Sequence, residues 1–130
     1  MKVGFTGTQK GMTIKQKRNF FRILKTIHFT EFHHGDCKGA DKEAHDIVAL
    51  FFKDVTIIIH PPDNDLKRAH CVGDVWCLPK PYLERNHDIV NECNILIAIP
   101  KNNNEVLRSG TWATIRYARK KYKEIIIVNV

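Results

Sequence analysis

The sequence lacks any apolar run long enough to cross a bilayer. Its mostly apolar stretches, such as residues 55–59 and 125–128, are far shorter than the ~20 residues that a transmembrane helix needs. The N-terminus also lacks the basic, apolar and small-residue regions of a secretory signal, because a strand pattern begins directly after Met1. From these absences we expect a cytoplasmic protein with no membrane partner.

Paired cysteines are also missing. Cys37, Cys71, Cys77 and Cys93 lie far apart without a CxxC pair, so no disulfide framework is predicted. A zinc site built from His70, Cys71 and Cys77 is an alternative to incidental loop thiols, but its spacing matches no standard ligand pattern. We therefore expect reduced thiols, no metal and no cofactor.

Acidic side chains are the scarcer charged class. The chain has 14 acidic and 21 basic residues, a formal charge of +7. Such a surplus attracts anions at long range. Many of the basic residues fall in two helical stretches, 10–25 and 116–123, where a solvated helix face is the alternative to nucleic-acid binding. Nucleic acid is therefore not the favoured partner.

Hydrophobic periodicity divides the chain into alternating strands and helices. The predicted strands are residues 2–6, 31–34, 55–59, 94–100 and 124–130. The predicted helices are residues 13–27, with Thr13 as N-cap, 40–52, 81–91 and 109–121. Residues 60–80 contain three prolines and little periodicity, which predicts a long irregular segment.

This alternation predicts an α/β fold in one domain over residues 1–130. We expect a three-layer, Rossmann-like architecture with a mainly parallel five-stranded sheet. The continuous β-branched stretch 55–59 is typical of a strand covered on both faces. In such sheets, ligands bind outside the carboxyl ends of the strands, near the topological switch point. The loops that follow the strands are therefore the candidate site.

Two of these loops bring small polar residues to the start of a helix, where free N–H groups favour an anion. In each loop the alternative is structural, a tight glycine turn in the first and a Ser109 helix cap in the last. The candidate ligand-binding residues of the two loops are Gly7, Thr8, Gln9, Arg108, Ser109, Gly110 and Thr111.

The loop after the second strand is also glycine-rich. Gly35 precedes Asp36, a candidate acceptor of ribose hydroxyls, and Asp41 either caps the next helix or contacts the ligand. His33 and His34 point to opposite faces of the strand, so they are not expected to share a metal.

Three further candidates come from later segments. His60 and Pro61 follow the third strand, where a rigid proline turn is the alternative. Arg85 lies in a predicted helix beside Asn86 and has the geometry to grip a phosphate through two N–H groups. A surface ion pair with Glu84 or Asp88 is the alternative for this arginine.

Taken in order, these segments resemble the SLOG superfamily of Rossmann-like domains. The superfamily is named for the DNA-processing Smf/DprA proteins and the Lonely Guy phosphoribohydrolases, and this chain looks most like its small bacterial and phage members. The resemblance covers essentially the whole chain. It is carried by Gly7-Thr8, Gly35-Asp36-x-x-Gly39-Ala40-Asp41, His60-Pro61-Pro62, Glu84-Arg85-Asn86 and Arg108-Ser109-Gly110-Thr111-Trp112.

The resemblance implies a nucleotide-type ligand and a homodimer or higher homo-oligomer. It implies that Ser109, Gly110 and Thr111 bind the phosphate and that Arg85 corresponds to the arginine of the family's Lonely Guy enzymes. The catalytic glutamate of the Lonely Guy enzymes has no counterpart here, because this chain continues with Trp112 and three further residues that are not carboxylates. Glu105, Asp36 and Asp63 are the carboxylates that could replace it.

The predicted function is therefore binding of a nucleotide or nucleotide-derived small molecule, as a sensor or sequestering module. One alternative is a hydrolase of the nucleotide N-glycosidic bond, with Arg85 and Asp36 as candidate catalytic residues. Another is DNA binding like that of the DprA branch, through a basic face made of Lys15, Lys17, Arg18, Arg116, Arg119 and Lys120.

Overall fold

The computed structural model describes residues 1–130 as four helices on a parallel sheet. The helices are α1 (Ile14–Thr26), α2 (Ala40–Phe51), α3 (Tyr82–Glu92) and α4 (Gly110–Lys120). The strands are β1 (Lys2–Gly7), β2 (Glu31–His34), β3 (Thr56–Ile59), β4 (Val75–Trp76), β5 (Ile95–Ile99) and β6 (Glu124–Ile127). The predicted α/β class and its helices are confirmed. None of the helices has the length and apolar character to span a membrane.

The strand order is β4-β3-β2-β1-β5-β6, and every pairing is parallel. The chain builds outward from β1 to β4, then returns to the other side of β1 to add β5 and β6. The switch point therefore lies between β1 and β5, whose register pairs Gly7 with Ile99 at their carboxyl ends.

The prediction of five strands is wrong by one edge strand. Val75 and Trp76 pair with Ile58 and Ile59 inside the segment predicted as irregular. Two residues are too few to show periodicity, and both side chains are exposed. The Asp74 carboxylate accepts a hydrogen bond from the Ile57 N–H at 2.8 Å, which fixes the approach of the segment to β3.

The two faces of the sheet bury different cores. Val3 and Phe5 of β1 pack with Phe20 of α1 and Ala44 of α2 in the larger apolar cluster. On the opposite face, Val90, Cys93, Leu96 and Ala118 join α3 and α4 to β5. Alternate residues of each strand therefore face different helix pairs.

A buried glutamine ties α1 to the ends of the neighbouring strands. Thr13 caps α1 as predicted, and the Gln16 side chain completes the capping box by accepting from the Thr13 N–H at 3.0 Å. The Gln16 amide nitrogen donates to the carbonyls of Pro100 and Val128, which follow β5 and β6. This contact fixes where the chain leaves β5 beside the switch point.

Candidate functional site

A cavity of about 420 Å³ opens at the switch point. Seven of the predicted ligand-binding residues line it, namely Gly7, Thr8, Gln9, Arg108, Ser109, Gly110 and Thr111. The remaining wall residues, not among those predicted, are Lys10, Tyr82, Lys101, Asn102, Val106 and Trp112. Lys101 and Asn102 directly follow β5, so the switch-point rule applied to that strand end could have found them.

Backbone hydrogen bonds hold the β1 side of the cavity in place. The Thr8 N–H donates to the Ile99 carbonyl at 3.0 Å, and the Thr8 carbonyl accepts from the Ala40 N–H at 3.0 Å. Gly39 has a φ of +93°, and a side chain there would overlap the Gln9 backbone. The loop after β1 is thus packed directly against the start of α2.

The charges around the cavity have one sign. Lys10, Lys101 and Arg108 line it, and no carboxylate does. In a partly enclosed site, such an arrangement raises the local concentration of anions. The cavity is therefore suited to a negatively charged group and unsuited to a cation.

The N-terminus of α4 forms the floor of this cationic region. Ser109 is the N-cap, and its hydroxyl accepts from the Trp112 N–H at 3.3 Å. The N–H groups of Gly110 and Thr111, in the first turn, have no intrahelical acceptor. Together with the helix dipole, these free donors favour an anion.

One buried side-chain polar atom lacks a hydrogen-bond partner. It is the Trp112 indole nitrogen, which has no hydrogen-bond acceptor although its residue is only 5% exposed. Buried donors are paired in most proteins, so an exception needs an explanation. Trp112 is one of the wall residues of the cavity, whereas its indole nitrogen is itself shielded from solvent.

Tyr82 separates this cavity from a second, smaller one. Tyr82 lines both, as do Gly7 and Gln9, and a Cβ on Gly110 would overlap the Tyr82 hydroxyl. The smaller cavity has a volume of about 20 Å³, enough for about one water molecule. Six predicted ligand-binding residues line it: Gly35, Asp41, Arg85 and Asn86, together with Gly7 and Gln9, which also line the larger cavity.

Arg85 is neither a surface residue nor open to the larger cavity. It is 3% exposed, and the Tyr82 ring lies 5.3 Å from its guanidinium. Its Nη1 donates to the carbonyls of Gly35 and His60, and its Nε donates to Asn86 Oδ1 at 2.7 Å. The guanidinium therefore holds together the loops after β2 and β3 from its position in α3.

Asp41 lies in the same small cavity with a perturbed acidity. Burial raises the pKa of its carboxyl to about 6, although the positive charge of Arg85 and hydrogen bonds from backbone N–H groups oppose the rise. One of those bonds comes from the Cys37 N–H at 3.1 Å. The charge of the Asp41 carboxyl therefore changes close to neutral pH.

Replacing Asp41 with asparagine tests this shift. Between pH 4 and 6 the unfolded chain releases the Asp41 proton while the folded chain keeps it, so the free energy of unfolding falls as the pH rises. A shift of about 2 units corresponds to about 3 kcal/mol. Urea unfolding at several pH values measures this quantity. By pH 7, the free energy of unfolding of the wild type should have fallen by about this much relative to that of Asp41→Asn. A pH-independent difference would contradict the assignment.

Asp36, His60 and Pro61 line neither cavity. Asp36 is fully buried, and its carboxylate accepts from Arg68 Nε at 3.0 Å and from the Cys71 N–H at 2.9 Å. Both oxygens thus anchor the segment after β3, and Asp36 lies outside both cavities.

The other candidate replacements for the missing glutamate also lie off the cavity wall. The Glu105 carboxylate is paired with Arg116 and Arg119 at 2.9 and 3.3 Å, and these arginines lower its pKa. Asp63 is exposed and lines neither cavity. None of the three carboxylates named as replacements therefore lines the larger cavity.

The basic residues suggested for DNA binding do not form one face. Lys15, Lys17 and Arg18 belong to α1, whereas the other three belong to α4 on the opposite side of the sheet. Lys17 is also paired with Glu43 at 2.8 Å. A single nucleic acid strand would have to pass around the edge of the domain to contact both groups.

Comparisons with known proteins support the fold and nothing finer. No protein-family model and no curated protein matches the chain. Among solved structures, the chain is similar to the X-ray structure of TM1055, a structural genomics target, with a TM-score of 0.66 and 14% sequence identity. The similarity covers 96% of this chain and 72% of that one. It shows that the fold is Rossmann-like.

Proposed function

We propose that this protein binds a nucleotide or nucleotide-derived small molecule in the switch-point cavity, with a phosphate at the N-terminus of α4. The observation that carries the proposal is the lining of that cavity, which combines three cationic side chains with a free helix N-terminus and contains no carboxylate. Every charged group in this wall attracts an anion, and none repels it.

The remaining wall suits the organic part of such a ligand. A volume of about 420 Å³ lies within the usual range for small-molecule pockets, which is about 300–1,000 Å³. Tyr82, Val106 and Trp112 supply apolar and aromatic surface, while Gln9 and Asn102 offer amide groups for the edge of a base. The resemblance to SLOG domains supports the same ligand class.

Binding without turnover is favoured over hydrolysis. Cleavage of an N-glycosidic bond needs a group to stabilise positive charge on the sugar or to activate water. Asp41, the carboxyl whose pKa is raised, lines the small cavity and not the larger one. We therefore infer a sensor or sequestering module.

The proposal is tested by incubating the purified protein with mixed nucleotides, including cyclic and ADP-ribose-type compounds, then desalting it and identifying the species by mass spectrometry. A retained and unaltered phosphate compound is the expected result. Release of free base with ribose phosphate would assign hydrolysis instead. Retention of no phosphate compound would contradict the proposal.

A further inference from the structure

Two histidine pairs lie on opposite faces of β2, away from the cavity wall. His33 and His34 do point in opposite directions, and each meets a histidine from another element. His33 faces His60, which follows β3, and His34 faces His45 in α2. Only the first pair is joined by a carboxylate, that of Glu92 at the end of α3.

The three groups on the α3 side converge on one point. His33 Nδ1 lies 2.8 Å from His60 Nε2 and 3.4 Å from Glu92 Oε2, and the last two atoms are 3.2 Å apart. Zinc–ligand bonds of about 2.0–2.1 Å in a tetrahedron place neighbouring ligand atoms about 3.3 Å apart. The triangle therefore has nearly the dimensions of one face of a zinc coordination sphere.

This cluster has more hydrogen-bond acceptors than N–H groups that can donate to them. His33 Nε2 lies 2.8 Å from Glu31 Oε1, so we assign its proton to that bond and leave a lone pair on Nδ1 of the neutral ring. That lone pair and the Glu92 carboxylate then share the single N–H of His60 Nε2. A cation among the three atoms would satisfy all of them.

Glu31 gives the cluster a second feature of metal sites. A histidine ligand usually donates its other ring N–H to a carboxylate or carbonyl, which fixes the tautomer and the ring orientation. The His33–Glu31 contact has this geometry. His33 and His60 are each 3% exposed and held by the sheet, whereas the Glu92 side chain is 51% exposed and gives solvent access.

In the cluster on the other face of β2, the hydrogen-bond donors and acceptors match. His34 Nδ1 accepts from the Asp36 N–H at 3.0 Å, so its Nε2 proton is free to donate to His45 Nδ1 at 3.0 Å. Cys71 completes that group of potential ligands, but every ring atom in these contacts already has a matched partner. His70 and Cys77, named with Cys71 in the sequence-based alternative, belong to neither cluster.

We propose that His33, His60 and Glu92 form a binding site for a divalent transition metal of the zinc type, with Glu31 orienting His33 and the fourth position open to solvent. Two neutral imidazoles and one carboxylate are ligands that zinc accepts, and three protein ligands leave room for a water molecule. The site is independent of the proposed nucleotide site, so either can fail without the other.

The test is calorimetric titration of the metal-stripped protein, residues 1–130, with Zn²⁺, together with the absorption spectrum of the Co²⁺ form. We expect one saturable site and the visible absorption of tetrahedral cobalt, without a thiolate-to-cobalt band in the near ultraviolet. Glu92→Gln should weaken Zn²⁺ binding at least 10-fold, and Glu31→Gln by about 10-fold through loss of the orienting contact.

Glu84→Gln is the matched control, because Glu84 is an exposed glutamate in the first turn of the same helix. It should leave Zn²⁺ affinity unchanged. Glu92 is half-exposed, so Glu92→Gln should melt like the wild type in the presence of a chelator. Equal Zn²⁺ affinity in wild type and Glu92→Gln would overturn the proposal, as would a thiolate band or the absence of saturable binding.

Discussion

Replacing Arg85 with alanine is expected to lower the stability of the fold by about 3–5 kcal/mol, the usual cost of removing one partner of a buried charged network. The variant would leave the carbonyls of Gly35 and His60 without their charged donor and the Asp41 carboxyl without its opposing charge. For a chain of this size the melting temperature should fall by about 10 °C or more.

Arg116→Ala provides the comparison for that result. Arg116 also makes an ion pair, with Glu105, but on the surface, where such pairs contribute about 1 kcal/mol or less. Thermal unfolding of both variants followed by circular dichroism separates the two cases. An Arg85→Ala protein that melts like Arg116→Ala would contradict the structural role and restore the hypothesis that Arg85 is free to grip a phosphate.

Replacing Ser109 with aspartate is expected to remove nucleotide binding without weakening the protein. Aspartate is as good an N-cap as serine and interacts favourably with the helix dipole, so the melting temperature should stay the same or rise slightly. Its carboxylate would sit beside the free N–H groups of Gly110 and Thr111, where the phosphate is proposed to bind. Like charges about 4 Å apart repel by a few kcal/mol in a partly exposed site, so affinity should fall at least ~100-fold.

Ser109→Asn is the control for charge. Asparagine has the size of aspartate and also caps helices, but it is neutral. Binding of the nucleotide retained in the mass-spectrometric experiment should therefore survive in Ser109→Asn and be lost in Ser109→Asp. Equal losses in both variants would mean that steric change at residue 109, and not charge, disrupts binding.

The parts of the fold that follow from local periodicity could be predicted from the sequence. Thr13 with Gln16 three residues later marks the start of α1, and the β-branched stretch that contains β3 predicts a covered parallel strand. The edge strand at Val75 and Trp76 could not be predicted, because it depends on pairing with β3 and on the Asp74 contact, which is long-range in sequence.

The candidate site also has features that could be predicted from the sequence and features that could not. Loops after strands converge by a topological rule, so Thr8 and Ser109 meet in one cavity as that rule predicts. The direction in which a side chain points could not be predicted by that rule. The sequence does not show that Tyr82 stands between Arg85 and the cavity, nor that Asp36 turns toward Arg68. The pairing of His33 with His60 is likewise set by strand register and is invisible in the chain order.

In the proposed complex, an anion binds where the loops after β1 and β5 meet the start of α4. The most direct test is titration of the ¹⁵N-labelled protein with adenosine monophosphate while its amide resonances are recorded. We expect saturable shifts confined to the cavity wall, largest at the amides of Gly110 and Thr111 and smaller at Gly7 and Thr8. Shifts confined to the basic surfaces of α1 and α4, or none at millimolar ligand, would contradict it.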